Sequence, residues 1–319
     1  MNTIIVENAY DPSRIDRWLK KKFPNIPVSL IHKFVRKKYI KLNDDKTSID
    51  AKVVNGDKIA ISREWDERPI ITGARTVNKD SAYRQKLAML KDNIIYKDDH
   101  IIVLNKPYGL AVQGGSKINI SIDDLADDLR FELKQKPKLV HRLDKDTSGI
   151  FLLARTDQAA RLLAAGFKEK TIVKKYWAIV VGVPRVKEGS VNLPIAKRQS
   201  DAMERADIDY ADGKDAITTY RVIDCISKKV AWLEMTPVTG RTHQLRVHSM
   251  SLNTPILGDG KYGGKEAFIS GASNKLHLHA REISIRDFMG KNLHFVADPP
   301  THVQETLELF GSASSISRL

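Results

Sequence analysis

His141-Arg142-Leu143-Asp144-Lys145-Asp146-Thr147-Ser148-Gly149 runs directly into the apolar segment Ile150 to Ala154. Asp, Thr, Ser and Gly in close succession spell a turn, and the apolar residues after it spell a buried strand. The stretch therefore sets polar chemistry at the mouth of a sheet. A carboxylate two residues after an arginine, at a strand edge, suits a site where an aspartate attacks or steadies a sugar carbon. The same residues also suit a well-hydrogen-bonded turn with no chemistry, so the choice depends on the rest of the chain.

Working outward, Ile101 to Leu104 reads as a short apolar strand closed by the tight loop Asn105-Lys106-Pro107-Tyr108-Gly109. Phe151 to Ala154 is a second strand, and Asp157 is placed to cap a helix through Ala159, Leu162, Leu163 and Phe167. Val173 to Val181 reads as a strand, and Thr218 to Cys225 with Lys229 to Met235 as a hairpin. A helix from Arg241 to about Met250 follows Pro237 and Gly240, and Leu276 to Ile285 is a later strand. The fold class is α+β: a large domain with a mixed, mainly antiparallel β-sheet flanked by helices, plus a small N-terminal α/β module.

Three further segments carry candidate chemistry. In Lys174-Lys175-Tyr176-Trp177-Ala178, alternation puts Lys174 and Tyr176 on one face and Trp177 on the other. Such a face can offer a ring to a nucleobase and a cation to a phosphate, or the tyrosine can simply pack in the core. In Thr239-Gly240-Arg241-Thr242-His243-Gln244-Leu245-Arg246-Val247-His248, glycine permits a sharp helix entry whose first-turn N–H groups suit an anion. Arg241 and Arg246 fall on adjacent faces, so one can point to RNA and the other inward to an acid, or both can be solvated. His277 and His279, two apart on a strand, share a face as a metal pair would. With no HExxH pattern or clustered carboxylates beside them, a structural or RNA-contacting role is favoured and no metal is expected. Gly114-Gly115-Ser116-Lys117 resembles a phosphate loop only faintly, for it lacks the P-loop spacing.

Composition narrows the class. The chain has 319 residues, 42% of them hydrophobic, and a formal net charge of +14, which favours a polyanionic partner. No apolar run approaches the roughly 18 residues of a membrane span, and Met1 to Tyr10 lacks the pattern of a signal peptide. The single cysteine, Cys225, reads as a buried small hydrophobe and excludes a disulfide within one chain. A soluble, cytoplasmic setting is expected, with a monomer as the default.

Residues 1–62 hold 13 basic and 7 acidic residues. Ser13 is placed to cap a short helix with Ile15, Trp18 and Leu19 inward, and a second helix starts near Ser29 with Leu30, Ile31, Phe34 and Val35 inward. Tyr39 to Asn43 and Lys58 to Ile61 read as strands. This order of pieces resembles the S4-type RNA-binding domain, a likeness over about fifty residues. It implies that Arg14, Arg17, Lys33, Arg36, Lys37 and Lys38 face RNA phosphates. Residues 63–87 show little apolar periodicity and read as a linker, 88–310 as the catalytic domain and 311–319 as a tail.

Taken together, the motifs resemble those of the RluA/RluC/RluD family of pseudouridine synthases. The likeness runs through Asn105 to Gly109, His141 to Gly149, Lys174 to Ala178, Pro237 to His248 and Leu276 to Ala280. Within the family it is greatest to the RluC branch, through Ala111 to Ser116 and the added N-terminal module. One departure is Gln113, where many relatives carry histidine. The resemblance implies an enzyme that detaches uracil from ribose, turns it and rejoins it through carbon, with no cofactor or metal. It implies Asp144 as the catalytic carboxylate, whether attacking sugar or base or assisting proton removal. Arg246 becomes its ionic partner and Tyr176 the ring stacked on the uracil. Arg142 fills the place of the extruded base or holds the displaced strand, and Arg241 and Lys174 contact RNA. The implied partner is large-subunit ribosomal RNA or a pre-ribosomal particle, with no membrane. A synthase acting on tRNA, a non-catalytic RNA-binding assembly factor and a histidine-metal hydrolase are the competing readings.

Overall fold

The computed structural model describes residues 2–7, 12–24, 26, 28–62, 81–114, 118–199 and 204–310. Gly115 to Lys117 of the glycine-rich loop, most of the expected linker (63–80) and the tail 311–319 lie outside these residues. The chain divides into two compact units, Met1–Lys79 and Asp80–Leu319.

In the first unit an antiparallel sheet has the order Asn2–Ile5, Lys58–Ile61, Ile40–Leu42, Asp45–Lys46. The helices Ile15–Lys22 and Val28–Arg36 turn Ile15, Leu19 and Ile31 into a core with Ile40 and Ile59. Helical spacing of apolar residues is what allows each helix to bury one stripe. Ser13 does not cap the first helix. Arg14 occupies the cap position without a side-chain capping bond, and Asp16 inside the first turn accepts the Arg17 N–H at 2.8 Å. Asp16 also receives a forked pair of bonds from Arg14, at 3.1 and 2.9 Å, so Arg14 is committed within the unit.

The second unit begins earlier than the sequence suggests. Helix Ser81–Asp92 occupies the end of the expected linker, with Tyr83 and Leu90 buried and the Tyr83 hydroxyl donating to the Asp128 carboxylate. Two buried residues seven apart are too sparse a stripe for periodicity to register. Across the main sheet the order is Glu188–Asn192, Ile217–Ile226, Val230–Pro237, Val173–Val181, Leu278–Phe288, Ser148–Ala154, Ile101–Lys106, Ile94–Lys97. Along this path all neighbours are antiparallel except Ser148–Ala154 beside Leu278–Phe288, which run parallel. Helix Asp157–Glu169 packs Ala159 and Leu163 onto Ile150 and Leu152, and helix Thr301–Glu308 packs Val303 and Leu307 around Trp177 and Trp232.

The parallel pair positions the site. Gly149 pairs with Ala280, and Ala280 pairs on its other side with Tyr176. The end of the Asp144 turn and Tyr176 therefore stand at one level of three adjacent strands. Gly149 is required there: with φ of 106°, a Cβ would lie 2.2 Å from the Ala280 carbonyl oxygen.

Three local expectations change. The helix at 157 is capped by Thr156, whose hydroxyl accepts the Ala159 N–H at 3.2 Å, while Asp157 pairs with Lys138. The helix expected from Arg241 is Gln244–Ser251. Cys225 is exposed rather than buried, because it continues the outward alternation of Thr219 and Arg221 along strand Ile217–Ile226.

Candidate active site

A cleft of about 960 Å³ in the second unit is lined by Arg142, Asp144, Lys174, Tyr176, Arg241 and Arg246, six residues singled out from separate stretches of sequence. Asp144 stands in the turn between Leu139 and Ser148, and its carbonyl accepts the Thr147 N–H at 3.2 Å. The turn is held from below. Lys106 is fully buried, and its ammonium donates to the carbonyls of Lys145, Leu110 and Pro107 at 3.0, 2.9 and 3.0 Å. Gly109 N–H joins it on the Lys145 carbonyl at 3.0 Å. Burial pushes the Lys106 ammonium down to about 7, against the pull of Asp146 and Asp144. His141, the first residue of the stretch, is an anchor: it stacks on Phe167, contacts Phe151, and its Nε2 accepts the Leu152 N–H at 2.8 Å.

The side chain of Asp144 keeps 30% of its exposure, so its carboxylate is open to the cleft. Its Oδ2 lies 3.9 Å from Arg246 Nη1 and 3.8 Å from His243 Nε2. Arg246 is not chiefly the partner of Asp144. Its Nε and Nη2 form a fork on Asp259, at 2.7 and 2.6 Å, and Asp259 is 1% exposed. A planar guanidinium so gripped leaves Nη1 as the nitrogen turned to Asp144. Tyr176 has its phenol pushed well above the usual range, first by burial and then by the negative charge of Asp144. It remains protonated at any physiological pH. Lys174 is pushed down by burial, with its ammonium 5.7 Å from the Phe167 ring.

At the entry to the helix after Gly240 two N–H groups are taken up within the chain, the Gln244 N–H by the Arg241 carbonyl at 3.2 Å and the Arg241 N–H by the Gln244 side chain. Gln244 is 4% exposed, and its Oε1 accepts the Arg241 N–H at 3.0 Å and the Thr239 hydroxyl at 2.7 Å. Arg241 itself stays at the rim, its Nε donating to the Asp215 carbonyl at 3.0 Å. The histidine pair is structural. His277 is bonded around Leu257, Lys275, His302 and Thr306, while His279 meets Ser148 and the Ala297 carbonyl. Among the described residues, no group of three or more His, Cys, Asp or Glu is placed to hold a metal. Among them, too, no helix is long and apolar enough to cross a membrane.

A profile of the RNA pseudouridylate synthase family matches residues 100–251, which span the Asp144 turn, the Tyr176 strand and the Arg246 helix. The ribosomal large subunit pseudouridine synthase C of Rickettsia typhi is 38% identical over 305 residues, covering 95% of this chain and 99% of the relative. The chain belongs to the RluA family of pseudouridine synthases. The mitochondrial RNA pseudouridine synthase 4 of Arabidopsis thaliana is 32% identical over 390 residues, covering 96% of this chain and 82% of the relative. Among solved structures, human RNA pseudouridylate synthase domain containing 4 superposes with a TM-score of 0.59 at 31% identity, covering 72% of this chain and 98% of that one.

The synthase also assembles residues that no local pattern marked. Asp259 and Tyr262 come from Gly258-Asp259-Gly260-Lys261-Tyr262-Gly263, a glycine-rich loop with no chemical signature of its own. Tyr262 supports the Arg246 guanidinium, 5.0 Å from its ring centroid, and meets His243. Lys106 lies within the motif Asn105 to Gly109, yet a polar residue at a strand end gives no sign that it is buried.

Proposed function

We propose that this synthase converts specific uridines of large-subunit ribosomal RNA to pseudouridine, with Asp144 as the catalytic carboxylate. The observation that carries the reading is the convergence of Asp144, the third nitrogen of Arg246 and the protonated Tyr176 in one cleft. An isomerisation in which uracil leaves N1-first and returns through C5 can run on one carboxylate, where hydrolysis generally uses two. Asp144 takes that part at the sugar or the base. Arg246, braced by Asp259, keeps a cation beside it as charge develops. Tyr176 presents its ring to the uracil. The target base must first be extruded, costing a few kcal/mol, and the exposed Arg142 is suited to fill the vacated stack. Lys174 and Arg241 are assigned to the RNA strand.

The N-terminal unit is proposed as an S4-type RNA-binding domain, with Arg17, Lys33, Arg36, Lys37 and Lys38 exposed and able to approach phosphates. Large-subunit RNA is favoured because the Rickettsia and Vibrio relatives carry that substrate in their names. Work in the cytoplasm as a monomer, without a cofactor, completes the reading.

Pseudouridines are mapped across ribosomal RNA from cells lacking the gene and from the same cells given wild type or Asp144→Asn. The wild type restores the lost sites and the variant restores none. Recovery of every site by Asp144→Asn would remove Asp144 from the chemistry.

A further inference from the structure

His243 meets Asp144 but has no part in the chemistry proposed for that carboxylate. It holds the cap position of helix Gln244–Ser251 in a left-handed backbone, with φ 53° and ψ 21°. Few residues other than glycine adopt that conformation, and those that do are held there by their surroundings. Here the grip on the ring is from Tyr262, whose hydroxyl lies 2.8 Å from His243 Nδ1.

The hydrogen bonds point to one placement of the protons. The Tyr262 oxygen accepts the backbone N–H of Ala206 at 3.0 Å. Tyr262 is 9% exposed, and burial pushes its phenol up to about 12, so the hydroxyl keeps its single hydrogen at neutral pH. With Ala206 donating into the oxygen, that hydrogen is available for Nδ1. A neutral imidazole whose Nδ1 accepts must carry its proton on Nε2. Nε2 is the nitrogen 3.8 Å from Asp144 Oδ2. Arg246 approaches the same carboxylate oxygen, and the Arg246 and Arg205 guanidinium carbons lie 5.0 and 5.3 Å from the Tyr262 ring, so cations already stand beside both partners of the imidazole.

We propose that His243 is a positioning residue, locked by Tyr262 as the neutral Nε2–H tautomer, whose hydrogen bond to Asp144 closes when a uridine fills the cleft. The inference rests on the assignment of Asp144 as the catalytic carboxylate. At 3.8 Å the contact is too long for a hydrogen bond. Contacts of this kind in unliganded sites tighten when substrate arrives. A neutral donor fixes the carboxylate's direction and leaves Arg246 as the cation beside it. Ala206 belongs to strand Glu204–Ile208, which pairs with Ile195–Gln199 in a separate two-stranded hairpin. That hairpin thereby sets the protonation of a ring that lines the cleft.

Histidine-selective nitrogen-15 NMR of the full chain reads the tautomer directly, with the His243 signals assigned by their loss in His243→Asn. At neutral pH the expected state is a protonated Nε2 and a bare Nδ1, and Tyr262→Phe is expected to mix the tautomers. Asparagine tolerates the left-handed backbone, so His243→Asn keeps the helix entry while losing the donor towards Asp144. On a large-subunit rRNA transcript its single-turnover rate should fall roughly 10- to 100-fold, with the half-saturating RNA concentration unchanged. His243→Gln, which carries an N–H near the Nε2 position, should recover part of the loss. An Nδ1–H tautomer, a charged ring at neutral pH, or a His243→Asn rate within about twofold of wild type would overturn the proposal. Asp144→Asn is measured beside them. If it is active, the reading of Asp144 falls and this inference with it; if it is inactive while His243→Asn is unimpaired, this inference alone falls.

Discussion

Each unit of the molecule contains an arginine forked onto an aspartate, and the two pairs do different things. In the N-terminal unit Arg14 grips Asp16, two residues away, with side-chain exposures of 41% and 9%. In the catalytic unit Arg246 grips Asp259, thirteen residues away, with exposures of 10% and 1%. The first is a local clamp at a helix start, with its arginine open to water. The second removes both charges from water, so neither partner can be lost without leaving the other stranded. The second stands over the cleft that holds Asp144, which the remaining guanidinium nitrogen faces. The same chemical pair is thus a fold accessory in one unit and part of the site's electrostatics in the other.

The largest effect that separates the pairs is expected from Asp259→Ala. It leaves a buried guanidinium uncompensated, a loss of about 3–5 kcal/mol in the catalytic unit, and activity should collapse with it. Asp16→Ala should lower stability by clearly less. Urea unfolding, with hydrogen exchange to resolve the units, makes the comparison, and equal losses would break it.

Acid should separate the units next. Burial pushes His141 down to about 3, and His277 and His279 down to about 4. All three lie in the catalytic unit. Between those values and the ordinary histidine pKa of about 6.5, the unfolded chain binds more protons, so stability falls as pH drops through that window. Asp16 works lower. Burial would raise its carboxyl, but Arg14, His32 and the Arg17 amide hold it below the usual range, so its contribution survives until the pH falls beneath the ordinary carboxylate pKa. Hydrogen exchange between about pH 7 and pH 5 should find the catalytic unit loosening first. Earlier loosening of the N-terminal unit would contradict this ordering.

The smallest effect concerns RNA. Filter binding should weaken steeply with salt, and replacing Lys33, Lys37 or Lys38 by Gln should reduce the log–log slope by roughly 0.7–0.9 for each phosphate left without its cation. Arg14→Gln should leave the slope nearly unchanged, because its guanidinium is engaged by Asp16. A slope reduced as much by Arg14→Gln would show that the clamp opens for RNA.

Much of the architecture could be read along the chain because alternation and helical spacing are local properties. Val173–Val181 and Lys58–Ile61 have the expected bounds, and the hairpin strands Ile217–Ile226 and Val230–Pro237 pair as expected. The cleft's Asp144, Tyr176 and Arg246 were legible as separate pieces, each a residue type suited to its place on a turn, strand or helix. The errors at the helix starts arose where a nearby side chain took the place of the expected one. Ser13 and Asp157 have capping side chains, yet Asp16 serves the first helix start and Thr156 caps the second. The helix at Ser81 buries too few residues to leave a stripe.

Alternating strands, amphipathic helices and the chemical types brought to the cleft are written in the order of residues, since they follow from periods of two and 3.6. Their partnership is not. It took the closed fold, with the parallel register of Ser148–Ala154 beside Leu278–Phe288, to set Gly149, Ala280 and Tyr176 at one level. The loop at 258–263 then delivered Asp259 to Arg246 and Tyr262 to His243. Hydrogen-bond and ion-pair partners are chosen by which groups are left buried together when the chain closes. No local pattern encodes that choice.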